Sequence, residues 1–441
     1  MKRSRFSAGM VATTVFATAI VAAAVLGGIA SASSTPPGTL TYFDCVGPGG
    51  CTSTATPMDD PRGVAIEHDL SRVFVAAHGS DAVDILMRNP KHGELSQKEG
   101  DFGCVSETGN GGACGDGRAL VGPTGIAVAN ADLYLVSPSL GSIAQVSQLP
   151  SKRWGVPSDL NGCTSEDGTA GACVDGHGLT GATSVTIQPK IGGYVYVGGT
   201  NSIAFFSRNK NTGLLTQIGC INDDGSDGCF NGIIPGTVTD MTIPEGSKTL
   251  YATASGTPGA LLTFTFQSGI LTQTGCFNDD GSNGCTDSTT PLSDPVSLDV
   301  DGKGKSIYVA ANGSDTLTGF KRDPKTGGLS LPFCYNETGT GGCTTVKGIA
   351  DPRSVRLCHN NACVLATAGD GIASFNRSDK TGALTQPGAP FVPCFNATGT
   401  GGCTLANGLH GATAVDSTFG THRTAYVTGA TDDTLTIFSL K

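Results

Sequence analysis

With 441 residues, 38% of them hydrophobic and only 15% charged, the chain is long enough for two or three ordinary domains, and its 65 glycines mark a turn-rich protein rather than a helical one. Aromatic side chains are sparse, at 6%, and the formal net charge is −10. An acidic chain of this kind is a poor candidate for binding nucleic acid or an anionic membrane surface.

Residues 1–32 read as a secretory signal peptide. Lys2, Arg3 and Arg5 precede an apolar run, and Ala30-Ser31-Ala32 supplies the small-x-small cleavage pattern. The run is long for a signal core, so an uncleaved N-terminal membrane anchor is the alternative. There is no twin-Arg pair, which points to the general secretory route. Removing the three basic residues takes the net charge from −10 to −13. A linker over 33–38 then leads into one domain over 39–441, read as a monomer.

That domain is periodic. Loops related to Cys276-Phe277-Asn278-Asp279-Asp280-Gly281-Ser282-Asn283-Gly284-Cys285 begin at Cys45, Cys104, Cys163, Cys220, Cys334 and Cys394, at spacings of 59, 59, 57, 56, 58 and 60 residues. Each period contains four strand-length apolar segments separated by turn residues. In the first these are Gly63–Ile66, Arg72–Ala77, Val83–Leu86 and Glu94–Gln97. The second is irregular, because Pro150–Asp159 replaces a turn and holds the only Trp, Trp154; it reads as a repacked edge or a specialised loop. The third and fourth run through Tyr194–Val197 and Leu250–Thr253. The fifth is the clearest, with Ser297–Val300, Ser306–Ala311, Thr316–Lys321 and Gly328–Leu331 followed by Cys334.

Four strands per repeat is a propeller blade, and seven repeats make an all-β, seven-bladed β-propeller of four-stranded blades. Only Gly38–Phe43 precedes Cys45, and only three strands follow Cys403. The N-terminal strand should therefore complete the last blade and close the ring.

Sixteen cysteines in near-sequence pairs fit an oxidising compartment, hence a secreted, extracellular or cell-surface protein. Local pairing is the simplest scheme: Cys45–Cys51, Cys104–Cys114, Cys163–Cys173, Cys220–Cys229, Cys276–Cys285, Cys334–Cys343, Cys358–Cys363 and Cys394–Cys403. The acidic loops at Asn222–Asp227 and Asn278–Gly281 offer oxygen donors for calcium, but they lack a closing bidentate Glu. They read instead as Asx-type turns stapled by a disulfide, with no cofactor required.

One aligned position stands out just before each first strand: Arg62, Thr124, Thr183, Thr239, Val296, Arg353 and Thr413. In a propeller this ring lies near one mouth of the central channel, where two Arg and four Thr suggest a polar pocket for a carboxylate or phosphate. The competing reading pairs each Arg with a neighbouring Asp, such as Asp59, Asp60 or Asp351. Among the seven histidines, His68, His78, His92, His359 and His422 fall mostly in turns. His177 and His410 precede first strands and are the general-base candidates. Gly304-Lys305-Ser306 mimics the end of a phosphate-binding loop, but Asp299 stands where its first Gly is needed, so it is a hairpin turn.

The units Ile307–Ala311, Phe320–Leu329 and Thr381–Gln386 resemble the lactonase-type seven-bladed propellers, related to the tyrosine-valine-threonine-asparagine repeat proteins, which include 6-phosphogluconolactonases and carboxymuconate cyclases. The resemblance spans all seven blades, from about Gly38 to Lys441. It implies a channel-mouth site acting on a lactone, with Arg62 and Arg353 in the anion-binding role and His177 or His410 in the acid–base role. Two readings follow. One is a secreted binding module for a small anionic ligand or a protein partner; the other is a secreted lactonase or cyclase.

Overall fold

The computed structural model describes residues 35–441 apart from 57, 158, 159, 191, 359, 360 and 419–422. The expected signal peptide or anchor over 1–32, together with His359 and His422, lies outside the described residues. Among the described residues no helix is long and apolar enough to cross a membrane.

Residues Pro36–Lys441 form one compact unit of seven small sheets, a seven-bladed propeller. Blade 5 shows the plan. Its inner strand Pro295–Val300 is followed outward by Ser306–Ala311, Thr316–Arg322 and Leu329–Asn336, all antiparallel. Blades 1 to 4 occupy 61–116, 125–175, 184–231 and 237–287, and blade 6 occupies 352–405. Blade 7 is built from both ends of the chain. Leu40–Val46 pairs antiparallel with Thr434–Leu440, outside Arg423–Gly429 and Ala412–Ser417. The outer strand therefore comes from the N-terminus, as the missing strand at each end of the sequence requires.

The Cys loop is more deeply woven into the blade than a loop following the fourth strand. Cys334 sits inside the strand Leu329–Asn336, and beyond Cys343 the chain adds a fifth, two-residue strand, Thr344–Thr345, parallel to it. The same short parallel strand ends blades 1 to 6, and a single Val46–Thr52 bridge takes its place in blade 7. Parallel neighbours ordinarily need a long crossover. Here the turn is held by a disulfide and by one Asn, since Asn278 Oδ1 accepts from Gly281 N at 2.8 Å and its Nδ2 donates to Ser282 O at 3.1 Å. In blades 1, 2 and 6 the fourth strand is also split into two short pieces.

All eight local disulfides are formed, with Cα–Cα separations of 4.6–5.2 Å. Closing a loop of about ten residues stabilises by roughly 2–3 kcal/mol on the chain-entropy model. Eight disulfides fit an oxidising environment.

Apolar residues of second and third strands fill the space between blades; Tyr134, Tyr196, Tyr251, Tyr308 and Tyr426 are fully buried. Burying a phenol requires a partner for its hydroxyl. Tyr308 Oη donates to Gly382 O at 2.5 Å and receives Arg377 Nε at 2.9 Å from the next blade. The outer strands add a second clasp. Gln273 takes Ile233 N on Oε1 at 2.7 Å and gives Nε2 to Ile233 O at 2.8 Å, so its amide pairs like a strand with the segment leaving the previous Cys loop. Gln217 and Gln386 repeat this with His177 and Lys347.

The irregular stretch of blade 2 is a repacked edge. Trp154 is buried, edge-on to Phe74 with ring centroids 5.4 Å apart, and Arg72 lies over its ring.

Candidate functional site

Inner strands begin, and Cys loops lie, at the same end of each blade: Pro61 pairs with Ala77, Ala77 with Ala82, and Ala82 with Ser106. The Cys loops thus encircle the channel mouth at larger radius. At the centre, all seven ring residues (Arg62, Thr124, Thr183, Thr239, Val296, Arg353 and Thr413) line one cavity of about 340 Å³.

Gathered there, the threonines and the arginines have different tasks. Each Thr hydroxyl reaches a carbonyl of the next blade: Thr124 to Thr183 O at 3.1 Å, Thr183 to Val238 O at 2.8 Å, Thr239 to Pro295 O at 3.1 Å and Thr413 to Pro61 O at 3.0 Å. These bonds tie inner strands whose edges would otherwise leave carbonyls unmet. Arg62 pairs with Asp60 at 2.7 Å and Arg353 with Asp351 at 2.6 Å, so the competing ion-pair reading is the geometry observed. Both side chains remain 44% exposed, and Nη1 of each makes no hydrogen bond among the described residues.

The acidic partners are held under strain. Asp60, Asp294 and Asp351 take φ of 46°, 48° and 58°, where blades 2, 3 and 7 have Gly122, Gly181 and Gly411 at 59°, 65° and 65°. The left-handed region costs a residue with a side chain roughly 1–2 kcal/mol. Three carboxylates therefore stand at the mouth in positions where glycine would be easier.

Sequence reasoning passed over two members of this site. His78, in the turn after the second strand of blade 1, has Nδ1 3.1 Å from Asp60 Oδ2, so it backs a carboxylate of the mouth without itself lining the cavity. Arg356 lies three residues further along the inner strand than Arg353, about 10 Å deeper by strand rise. Reading the row three positions past the ring, with Asp299, Arg356 and Asp416 among alanines and threonines, would have found it.

Arg356 is surrounded by the carboxylates of Asp240, Asp299 and Asp416, yet its Nε lies 3.7 Å from Asp416 Oδ1 and has no hydrogen-bond partner. Those carboxylates are bonded elsewhere, to the next blade's inner strand: Asp240 to Leu298 N at 3.1 Å, Asp299 to Leu357 N at 2.7 Å and Asp416 to Ile66 N at 3.2 Å. Burial works against the Arg356 charge, but the three carboxylates outweigh it and raise its pKa further. Burial likewise raises Asp240 and pushes Asp299 up to about 6, against the opposing Arg356 charge. The side chain keeps 39% exposure, and since Nε itself is shielded it is the outer end of the guanidinium that faces a ligand entering from the mouth.

His177 does not reach the mouth. Its backbone is gripped by Gln217 on the outer strand of blade 3, at 3.0 Å through N and 2.6 Å through O, which holds the side chain out in solvent. His410 stands beside the mouth in a separate hollow with Cys51, its Nδ1 2.9 Å from Asp432 Oδ1. The acidic Cys loops turn their oxygens onto backbone N–H groups: Asp224 on Ser226 N, Asp280 on Ser282 N and Asp279 on Leu292 N. Among the described residues no three His, Cys, Asp or Glu side chains group as a metal site.

No protein-family model matches the chain, and no curated protein matches it in sequence. Solved structures do match. A candidate 6-phosphogluconolactonase of Bacteroides uniformis is 14% identical, over 73% of this chain and 82% of that one, with a TM-score of 0.53. The periplasmic gluconolactonase of Pseudomonas aeruginosa is 16% identical over 74% and 84%, at 0.52. Saccharomyces cerevisiae Sqt1 is 11% identical over 92% and 100%, at 0.53. At these identities the likeness is one of fold: this chain is a disulfide-rich β-propeller with the architecture of the 6-phosphogluconolactonase-like proteins.

Proposed function

We propose that this is a secreted member of the lactonase-type propellers that binds a small hydroxylated acid, or the lactone of one, at the channel mouth. One observation carries the reading: Arg62, Arg353 and Arg356 line one cavity, and the carboxylates Asp60, Asp351 and Asp370 stand with Arg62 and Arg353 in the hollow beside it. Paired arginines do not attract an anion as strongly as free ones. The donors suit a carbonyl or a single carboxylate, while Asp60, Asp351 and Asp370 accept hydroxyl protons. The disulfides and the N-terminal segment support export, and the fold's likeness to a periplasmic gluconolactonase supports a lactone or its acid as the ligand.

A second reading, lactone hydrolysis, is favoured by His78. With Asp60 orienting its Nδ1, the other ring nitrogen could take a proton from water attacking a carbonyl held by Arg62. Purified protein tested against a panel of lactones and their acids separates the two. Binding without turnover supports the module, and turnover lost in His78→Ala supports the enzyme. In either case Arg62→Ala with Arg353→Ala should weaken affinity or kcat/KM at least about tenfold, with the melting temperature nearly unchanged, because both ion pairs are exposed. No binding and no turnover across the panel would remove the mouth as the functional site.

A further inference from the structure

At the end of the blades opposite the mouth, each joint sets a residue near the start of one second strand against the end of the next blade's third strand. Four joints match Tyr with Arg: Tyr426 with Arg88, Tyr134 with Arg208, Tyr251 with Arg322 and Tyr308 with Arg377. Two are filled by apolar groups: Phe74 meets Trp154, which pairs with Gln148 at the end of the third strand of blade 2, and Leu365 shares an apolar cluster with Leu440. The joint between blades 3 and 4 is the exception. Tyr196 is fully buried against Phe266, ring centroids 5.9 Å apart, and its hydroxyl has no partner.

Phe266 occupies the arginine's place. Its N–H bonds to Lys248 O as that of Arg322 bonds to Lys305 O. The turn Asp323–Gly327, which gives Tyr251 its Gly327 carbonyl, is shortened here to Ser268-Gly269. Gln188 follows its inner strand as Asp301 follows its own, and Asp301 receives Arg377 Nη2 at 2.8 Å. The Gln188 Oε1 is buried without a partner. Both acceptors that a sister joint satisfies with arginine are therefore unmet in this one place.

What the missing arginine and shortened turn leave is a cleft of about 560 Å³, walled by Gln188 and Tyr194 of blade 3 and by Lys248, Phe266, Gln267 and Ser268 of blade 4. It shares no residue with the channel mouth. Lys190 at its edge is neutralised by Glu245 at 2.6 Å, whereas Lys248 has no ion-pair partner among the described residues. We infer that this cleft is a second binding site, for an acidic sugar of the hexuronate class. Such a ligand brings one carboxylate for Lys248, a hydroxyl proton for the Gln267 amide oxygen and another for Gln188 Oε1 once that amide turns into the cleft it lines, and a C–H face for Tyr194.

The test is calorimetric titration of the purified full chain with tri-galacturonic acid. Saturable binding is expected, weakened at least about tenfold by Lys248→Ala and by Gln188→Ala, and unchanged in Arg62→Ala. Phe266→Arg, which rebuilds the sister clasp, should raise the melting temperature and abolish binding. If that variant does not fold, Lys248→Ala, an exposed substitution, still decides. The inference is overturned by no saturation at millimolar tri-galacturonate, by equal affinity for neutral maltotriose, by binding undiminished in Lys248→Ala, or by binding lost in Arg62→Ala. Preference for a polyglutamate peptide over the sugar would overturn the ligand class.

Discussion

Asp84 is the residue whose environment most clearly sets a pH dependence. It is fully buried in blade 1, where Oδ1 accepts from Thr56 Oγ1 at 2.9 Å and Gln97 Nε2 at 2.7 Å, while Oδ2 has no partner. Burial pushes its carboxyl up to about 7 from an ordinary 3.8, so the fold favours the protonated form. That stabilisation is whole below the unfolded value and is lost as pH rises through 7. Thermal melts of the wild type should fall between about pH 5 and 8, and Asp84→Asn should flatten most of that slope and gain up to about 4 kcal/mol at pH 8. Asp240 and Asp299, raised by the same cause, leave a smaller slope of the same sign. A wild-type profile that rises over this range would contradict the assignment.

Single residues also show where sequence reasoning ends. The ring from Arg62 to Thr413 could be aligned because the repeat is regular, and its gathering at one cavity followed. That Thr413 Oγ1 would clasp Pro61 O rather than face a ligand depends on the distance between two blades, which no single repeat encodes. His78 looked like a turn residue because it is one, and only the fold of the Asp60 turn brings the two together.

Within an element, the outer-strand glutamine does work that strand propensity does not reveal. Its spacing from the preceding Cys loop is about forty residues, so it reads as a polar side chain on an exposed edge. Gln273→Ala removes two hydrogen bonds to Ile233 and should cost about 1–3 kcal/mol in urea unfolding. Its exposed neighbour in Thr272→Ala should be near neutral. Equal costs for the two would mean that the clasp contributes nothing. The Cys loops were legible as staples, yet the fifth parallel strand was not, because two-residue pairings carry no periodic signal.

For the whole molecule, the count of strands at the two ends was enough to foresee how the ring closes. Deleting residues through Val46 would strip the partner from Thr434–Leu440 and expose the edge of blade 7. Light scattering on such a truncated chain should show stronger concentration-dependent association than the full chain does. A truncated chain that remains a stable monomer would mean that the N-terminal strand is dispensable.

The seam has a mechanical meaning as well. Gly38 N donates to Lys441 O at 2.7 Å, and Leu40 pairs with Leu440, so both ends of the chain leave from the same corner of blade 7. A pull applied between the termini loads those ladder bonds one after another, as a zipper is opened, instead of all at once in shear. The ring that disulfides and clasps staple together should yield to such a pull first at the point where it was closed.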